Sequence, residues 1–152
     1  MTDILRVGDK IADFTLKNQH DQEVRLFGLT GKVLLSFHPL AWTSVCAEQM
    51  KSLEANKDKF AALGITALGI SVDTAPSKNA WARQLGIVDT ALLSDFWPHG
   101  ECAKAFGIFT EANGFSERAN IVLDEERRIK IIRKYPLAEL PDIEEIFAAL
   151  RA

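Results

Sequence analysis

Cysteine is scarce in this chain. Two occur in 152 residues, Cys46 and Cys102, and they stand far apart. Two thiols cannot build a disulfide scaffold. The absence of any Cys-x-x-Cys pair excludes a zinc knuckle and a dithiol couple of the thioredoxin kind. The three histidines, His20, His38 and His99, lack the i, i+4 spacing of helical metal ligands, so no metal is expected. Long apolar runs are missing. Stretches such as Val33 to Leu35 fall far short of the ~20 residues that span a bilayer, so no membrane partner is expected. Basic residues are not in surplus: 18 Lys and Arg stand against 21 Asp and Glu, a net charge of −3. A phosphate-tracking surface is therefore not expected, nor a nucleic-acid partner. Nothing at the N-terminus reads as a basic stretch followed by an apolar block, which leaves a cytoplasmic location as the expectation.

There is also no excess of glycine, proline or serine, no repeat and no linker, so residues 1–152 read as a single domain. A chain of that length buries about 70% of its unfolded surface. Asp13–Leu16 and Glu23–Leu26 read as two short strands around a polar loop. Lys32–Phe37 is nearly continuous apolar sequence, the pattern of a buried parallel strand. A helical pattern covers Ser44–Leu63, with Cys46, Met50, Leu53, Phe60 and Leu63 on one face, Thr43 as N-cap and Gly64 as terminator. Ile65–Val72 is a second buried strand, and Pro76–Leu85 a helix closed by Gly86. A short strand at Ala91–Ser94 and a short helix at Gly100–Phe106 follow. Arg118–Leu123 and Arg128–Lys134 read as an antiparallel pair, and Leu140–Leu150 as a helix with Pro141 in its first turn. This order predicts an α/β domain with a thioredoxin-like fold: a mixed central sheet, helices on both faces and an N-terminal hairpin extension.

The stretch His38–Gln49 is the one that carries chemistry. It takes the chain from the carboxyl end of a buried strand into a helix, where active sites of open α/β sheets gather. Cys46 falls in that helix's first turn, among unpaired N–H groups and about half a positive charge. A free thiol with pKa near 8.5 is only roughly 3% ionised at pH 7, and ~2 units of lowering need about 2.7 kcal/mol in favour of the anion. A helix terminus and one arginine can supply that. On these residues alone, two readings stand: a reactive thiol, or a small hydrophobe on an apolar helix face. Thr43 lies three positions before Cys46 and shares its face. Pro39 stiffens the loop above it.

Pro39-x-x-x-Thr43-x-x-Cys46 resembles the P-x-x-x-T-x-x-C motif of the peroxiredoxins. Gly8–Leu16, Gly69–Asp73 with Trp81, Leu92–Asp95, Ala103–Ile108 and Arg118–Asp124 are similar to that family too, in collinear order over nearly the whole chain. The resemblance implies a thiol-dependent peroxidase with no cofactor. Cys46 would be the peroxidatic cysteine, oxidised by a hydroperoxide to a sulfenic acid. Thr43 would bond the peroxide, Pro39 would shield the sulfur from water, and Arg118 would stabilise the thiolate and orient the peroxide. Gln49 would support the site, and Trp42 would pack beside it. Phe37, Trp42 and Phe115 are open to two readings, as the lining of an apolar pocket or as core.

The chain departs from part of the family. Lys51 stands where the bacterioferritin-comigratory type often has a second cysteine. No cysteine lies near the C-terminus; Cys102 reads either as a buried small residue or as a resolving thiol. A one-cysteine mechanism of the alkyl hydroperoxide reductase E type is therefore expected. An external thiol (thioredoxin, a glutaredoxin-like protein or a small thiol) would reduce the sulfenic acid. The resemblance also implies a homodimer. The alternative is a peroxide sensor or thioredoxin-like interaction module without efficient turnover. A cysteine hydrolase would need a histidine paired with Cys46, and His38 is the one candidate nearby.

Overall fold

The computed structural model describes residues 5–151. β1 (Thr15–Lys17) and β2 (Glu23–Arg25) form the expected hairpin. The Asn18 side-chain oxygen accepts from the N–H groups of His20 and Gln22 and so ties the turn. β3 (Lys32–Phe37) leads into α1 (Ser44–Ala55) and α2 (Lys57–Ala62); β4 (Ile65–Ser71), α3 (Ala75–Leu85), β5 (Ala91–Ser94) and α4 (Glu101–Ala105) follow. A small hairpin, β6 (Phe109–Thr110) and β7 (Phe115–Ser116), precedes β8 (Arg118–Leu123), β9 (Ile129–Tyr135) and α5 (Ile143–Arg151). The main sheet runs β2-β1-β5-β4-β3-β8-β9. β3 pairs parallel with β4, and β4 with β5; the other pairs are antiparallel, so the sheet is mixed as expected.

The two-residue alternation of the strands divides the core in two. Val33, Leu35 and Phe37 of β3 face one way, with Leu68 and Ile70 of β4 and Ile121 of β8; α4 packs there through Cys102 and Ala103. Leu34, Leu92 and Val122 face the other way, against Cys46, Met50 and Leu53 of α1, Phe60 of α2, Trp81 of α3 and Phe147 of α5. Helices thus cover both faces, the thioredoxin-like layering.

Some expected boundaries move. The helix over Ser44–Leu63 is broken at Asn56, whose side-chain amide donates to the Ser52 carbonyl at 2.8 Å and competes there with its own backbone N–H at 3.2 Å. Leu63 lies past the break and is exposed rather than on the apolar face. Thr43 occupies the N-cap position, yet its side chain caps nothing: the hydroxyl donates to the Leu40 carbonyl instead. α5 begins at Ile143, beyond Leu140 and Pro141. Proline pushes the residue before it out of helical conformation, and the Asp142 carboxylate takes over the start by accepting from the Glu144 N–H. The β6–β7 hairpin was not expected; His99 pins it, its Nε2 at 2.7 Å from the Gly114 carbonyl.

Candidate active site

The end of β3 and the start of α1 are joined by His38–Thr43, a loop held at three points. The Ala41 N–H donates to Asp73 at 2.8 Å, the Trp42 indole N–H to Ser77 on α3 at 2.9 Å, and the Thr43 hydroxyl to Leu40 at 2.8 Å. Trp42 sits at positive φ (71°), and its bond across to α3 holds that turn in place. The loop so fixed sets the first turn of α1, where Cys46 is fully buried.

Arg118 opens β8. Since Ala119 pairs with Phe37, Arg118 stands level with the point where β3 ends, beside the loop. Its Nη1 donates to Cys46 Sγ at 3.3 Å and to Gln49 Oε1 at 2.7 Å. Its Nε and Nη2 both donate to the Leu137 carbonyl, at 3.2 and 2.6 Å. Gln49 in turn donates to Ser36 Oγ at 2.8 Å and to the Phe37 carbonyl at 3.1 Å; Ser36 donates to Asn120 at 2.7 Å. A chain of buried hydrogen bonds therefore runs from the sheet to the guanidinium and ends on sulfur. Among the described residues no carboxylate pairs with Arg118. The partners of this buried cation are therefore neutral oxygens and one sulfur.

The sulfur faces a shallow cleft of about 220 Å³. Pro39, Val45, Phe115 and Leu137 give it apolar walls; Thr43, Cys46 and Arg118 give it polar groups. Because the Thr43 O–H is committed to Leu40, its oxygen is left to accept a bond from a molecule in the cleft. Pro39, Thr43 and Cys46, close together in sequence, meet Arg118 here, 72 positions on from Cys46, and Gln49 holds Arg118 from behind. Trp42 does not line the cleft; it is 49% exposed and turned to α3. Of the possible aromatic lining, Phe115 is a wall, whereas Phe37 belongs to the core on the other face, against Phe106 at 5.6 Å.

Cys102 is nowhere near. It lies on the opposite face of the sheet from Cys46, in the other half of the core. A disulfide requires Cα atoms roughly 4.4–6.8 Å apart; the two cysteines are free in this structure, with the sheet between them. Burial, with Asp95 and Glu101 nearby, pushes the Cys102 thiol well above its usual range, which makes it a poor nucleophile.

His38 does not pair with Cys46 either. It is fully buried, its ring against Trp81 at 5.5 Å, and Lys78 Nζ donates to its Nε2 at 3.1 Å. Burial, with Lys78 and Arg118 close by, keeps this imidazole neutral. The Cys–His dyad of a hydrolase is therefore not built. Lys78, Ser36, Asn120 and the Leu137 carbonyl are the parts that sequence reasoning missed. Lys78 did leave a signal: a lysine on the face of α3 that otherwise carries Ala75, Trp81 and Ala82.

Residues 7–132 match the model of the AhpC/TSA family. The chain is 38% identical over 141 residues to alkyl hydroperoxide reductase E of Mycobacterium tuberculosis, covering 91% of this chain and 92% of that one. It is 30% identical to peroxiredoxin 2 of Thermoplasma acidophilum, over 96% of this chain and 75% of that one. Among solved structures it superposes on peroxidoxin BcpB of Mycobacterium tuberculosis with a TM-score of 0.84 and 27% identity, covering 97% of each chain. The reduced 2-Cys peroxiredoxin of Plasmodium vivax gives a TM-score of 0.87 at 26% identity, over 96% of this chain and 80% of that one.

Proposed function

The chain belongs to the AhpC/TSA family and is a thiol-dependent peroxidase, and we propose that Cys46 is its peroxidatic cysteine, working by a one-cysteine mechanism. The observation that carries this is the Arg118 Nη1–Cys46 Sγ contact of 3.3 Å at the floor of an open cleft. The anionic sulfur attacks the terminal oxygen of a hydroperoxide. The S–O bond forms as the O–O bond breaks; the attacked oxygen keeps its hydrogen and becomes the sulfenic acid. The departing alkoxide or hydroxide leaves with the electron pair and takes a proton from water. Thr43 accepts the peroxide O–H and so aims the attacked oxygen. The Arg118 guanidinium, held by Gln49 and Leu137, meets the charge as it moves from sulfur to oxygen, preorganised in the manner of an oxyanion hole. Pro39 keeps water off the sulfur. The apolar walls suit an organic hydroperoxide as well as hydrogen peroxide.

An external thiol then attacks the sulfenic sulfur, water leaves, and a second thiol releases the enzyme by exchange. The separation of Cys102 from Cys46 by the sheet supports this assignment. We read residues 1–152 as one domain that acts in the cytoplasm; among the described residues no helix is long and apolar enough to cross a membrane. A homodimer fits the surface: Trp42, Phe96 and Trp97 are exposed, and Phe96 and Trp97 border a hollow shared with the first turn of α3, where Trp42 is anchored.

The test is peroxide consumption with an excess thiol, together with mass spectrometry after one equivalent of peroxide. Wild type and Cys102→Ser should both turn over and show a sulfenic acid at Cys46, and Cys46→Ser should do neither. A Cys46–Cys102 disulfide in wild type would overturn the one-cysteine mechanism. A single oxidation without turnover would make the chain a sensor.

A further inference from the structure

His99 takes no part in the reaction so far, yet it holds a wall of the cleft. Phe115 is the aromatic wall, and it sits in β7 of the small β6–β7 hairpin. A hairpin of two residues a side is not stable on its own. Phe109 seats its first strand on the core. The other bonds are internal: the Gly114 N–H donates to the Thr110 carbonyl at 2.8 Å, and the Thr110 hydroxyl to the Phe115 carbonyl at 2.6 Å. Ser116 Oγ is buried without a partner. Among the described residues, one side-chain hydrogen bond ties residues 109–116 to the rest of the chain, from His99 Nε2 to the Gly114 carbonyl at 2.7 Å. A carbonyl only accepts, so Nε2 carries the hydrogen. The imidazole itself stands edge-on to two rings, Phe109 at 5.9 Å and Phe96 at 6.2 Å. Beside it, Gly100 lies so close to the Phe109 ring that any side chain there would collide with it. The turn at His99 and Gly100 thus fits the hairpin closely, and Gly114 passes that placement to Phe115, the next residue.

We propose that Phe115 is a specificity-determining residue for hydroperoxides that carry an apolar substituent, and that His99 is the positioning residue that sets it against the cleft. The proposal rests on Cys46 being the peroxidatic cysteine. With the attacked oxygen held at Sγ and Thr43, the group bonded to the other oxygen must leave along the apolar walls. The phenyl ring of Phe115 offers that group the broadest of these surfaces, and a preferred packing geometry if the group is itself aromatic. Hydrogen peroxide has no substituent and gains nothing from the ring. Arg118 lies only three residues on from Phe115, but it is fixed separately, by the pairing with Tyr135 of β9 and by its bonds to Gln49 and the Leu137 carbonyl. A shift of Phe115 therefore changes the wall and leaves the guanidinium in place.

Oxidation of Cys46 in the full chain is followed with cumene hydroperoxide and with hydrogen peroxide, and the ratio of the two rate constants, organic over inorganic, is the readout. Lost stability or a misplaced sulfur slows both peroxides together, whereas a change at the wall moves the ratio. His99→Phe keeps the ring contacts and removes the bond to Gly114; it should lower the ratio roughly two- to tenfold, the worth of one aromatic contact. His99→Gln returns a side-chain N–H close to the place of Nε2 and should restore the ratio. Phe115→Ala should lower it at least as far, and adding His99→Phe to that variant should lower it no further, since the two act through one ring. An unmoved ratio in a folded His99→Phe overturns the proposal. So does a ratio in His99→Gln as low as in His99→Phe, or a full second loss in the double variant. Phe115→Ala leaves the tether intact and decides where His99→Phe does not fold: an unmoved ratio there also overturns the proposal. If wild type forms no sulfenic acid at Cys46 with either peroxide, the peroxidase assignment of that cysteine fails instead, and the two failures are told apart.

Discussion

Replacing Arg118 by methionine removes the guanidinium and keeps much of its apolar stem. Three of its contacts matter differently. The bond to Cys46 Sγ at 3.3 Å acts on the atom proposed to react. A hydrogen bond with one charged partner contributes about 1.5–3 kcal/mol. At 1.36 kcal/mol per tenfold, its loss slows oxidation of Cys46 by roughly 10- to 150-fold. Removing a whole oxyanion-type donor elsewhere costs about 10² to 10³, so the upper part of that range is expected. The bonds to Gln49 Oε1 at 2.7 Å and to the Leu137 carbonyl at 2.6 Å are structural. Leaving those acceptors bare costs roughly 1–3 kcal/mol each. Arg118→Met should therefore be both slower and less stable. Arg118→Lys separates the two effects: one ammonium keeps the charge but cannot bridge sulfur, Gln49 and Leu137 at once. Its rate should fall between wild type and Arg118→Met. The assay is stopped-flow tryptophan fluorescence under excess hydrogen peroxide, alongside thermal unfolding. A folded Arg118→Met within about threefold of the wild-type rate would refute the role given to this contact.

Gln49→Leu cuts the link from Ser36 to Arg118 without touching sulfur, and should slow oxidation by roughly three- to tenfold, about 1 kcal/mol, with the same assay as check. Glu54 receives the N–H groups of Val88, Asp89 and Thr90 and the Thr90 hydroxyl. Burial alone would raise its pKa, but these donors outweigh it and hold the carboxyl down to about 2 from an ordinary 4.5. A lowered carboxyl adds stability above pH 4.5 and loses it as pH falls toward 2. Glu54→Gln should thus unfold roughly 3–6 °C lower at pH 7, with the difference shrinking by pH 3; an unchanged difference at pH 3 would show that the charge is not what matters. Changing Trp97, 81% exposed, to Ser should weaken the proposed dimer in sedimentation while leaving the monomer folded.

The sequence made plain whatever is repeated along one element. The apolar run of Lys32–Phe37 became the central strand, and the helix expected over Pro76–Leu85 and closed by Gly86 became α3, with Thr74 as a cap the sequence reading had not named. The stretch from Pro39 to Cys46 could be placed between strand and helix, because the spacing is local. Arg118 was reached by resemblance alone, since its partner lies 72 positions away and only the register of β3 with β8 brings them together. The same distance hid the Lys78–His38 pair, 40 positions apart. The β6–β7 hairpin, two residues a side, is too short to have a period. The break at Asn56 was masked because its flanks keep the helical apolar face, and the amide that interrupts it gives no sign in hydrophobicity.

A wall of hydrogen-bonded strands between the two sulfurs has a consequence for how the catalyst keeps time. Under the proposed one-cysteine mechanism the oxidised centre would have no internal rescuer, so every cycle would wait on a visitor entering by the opening through which the spent alcohol departed. Under plentiful oxidant, throughput is then metered by the reductant pool, and the fraction of chains paused in the oxidised form becomes a readout of how much thiol the surroundings can spare.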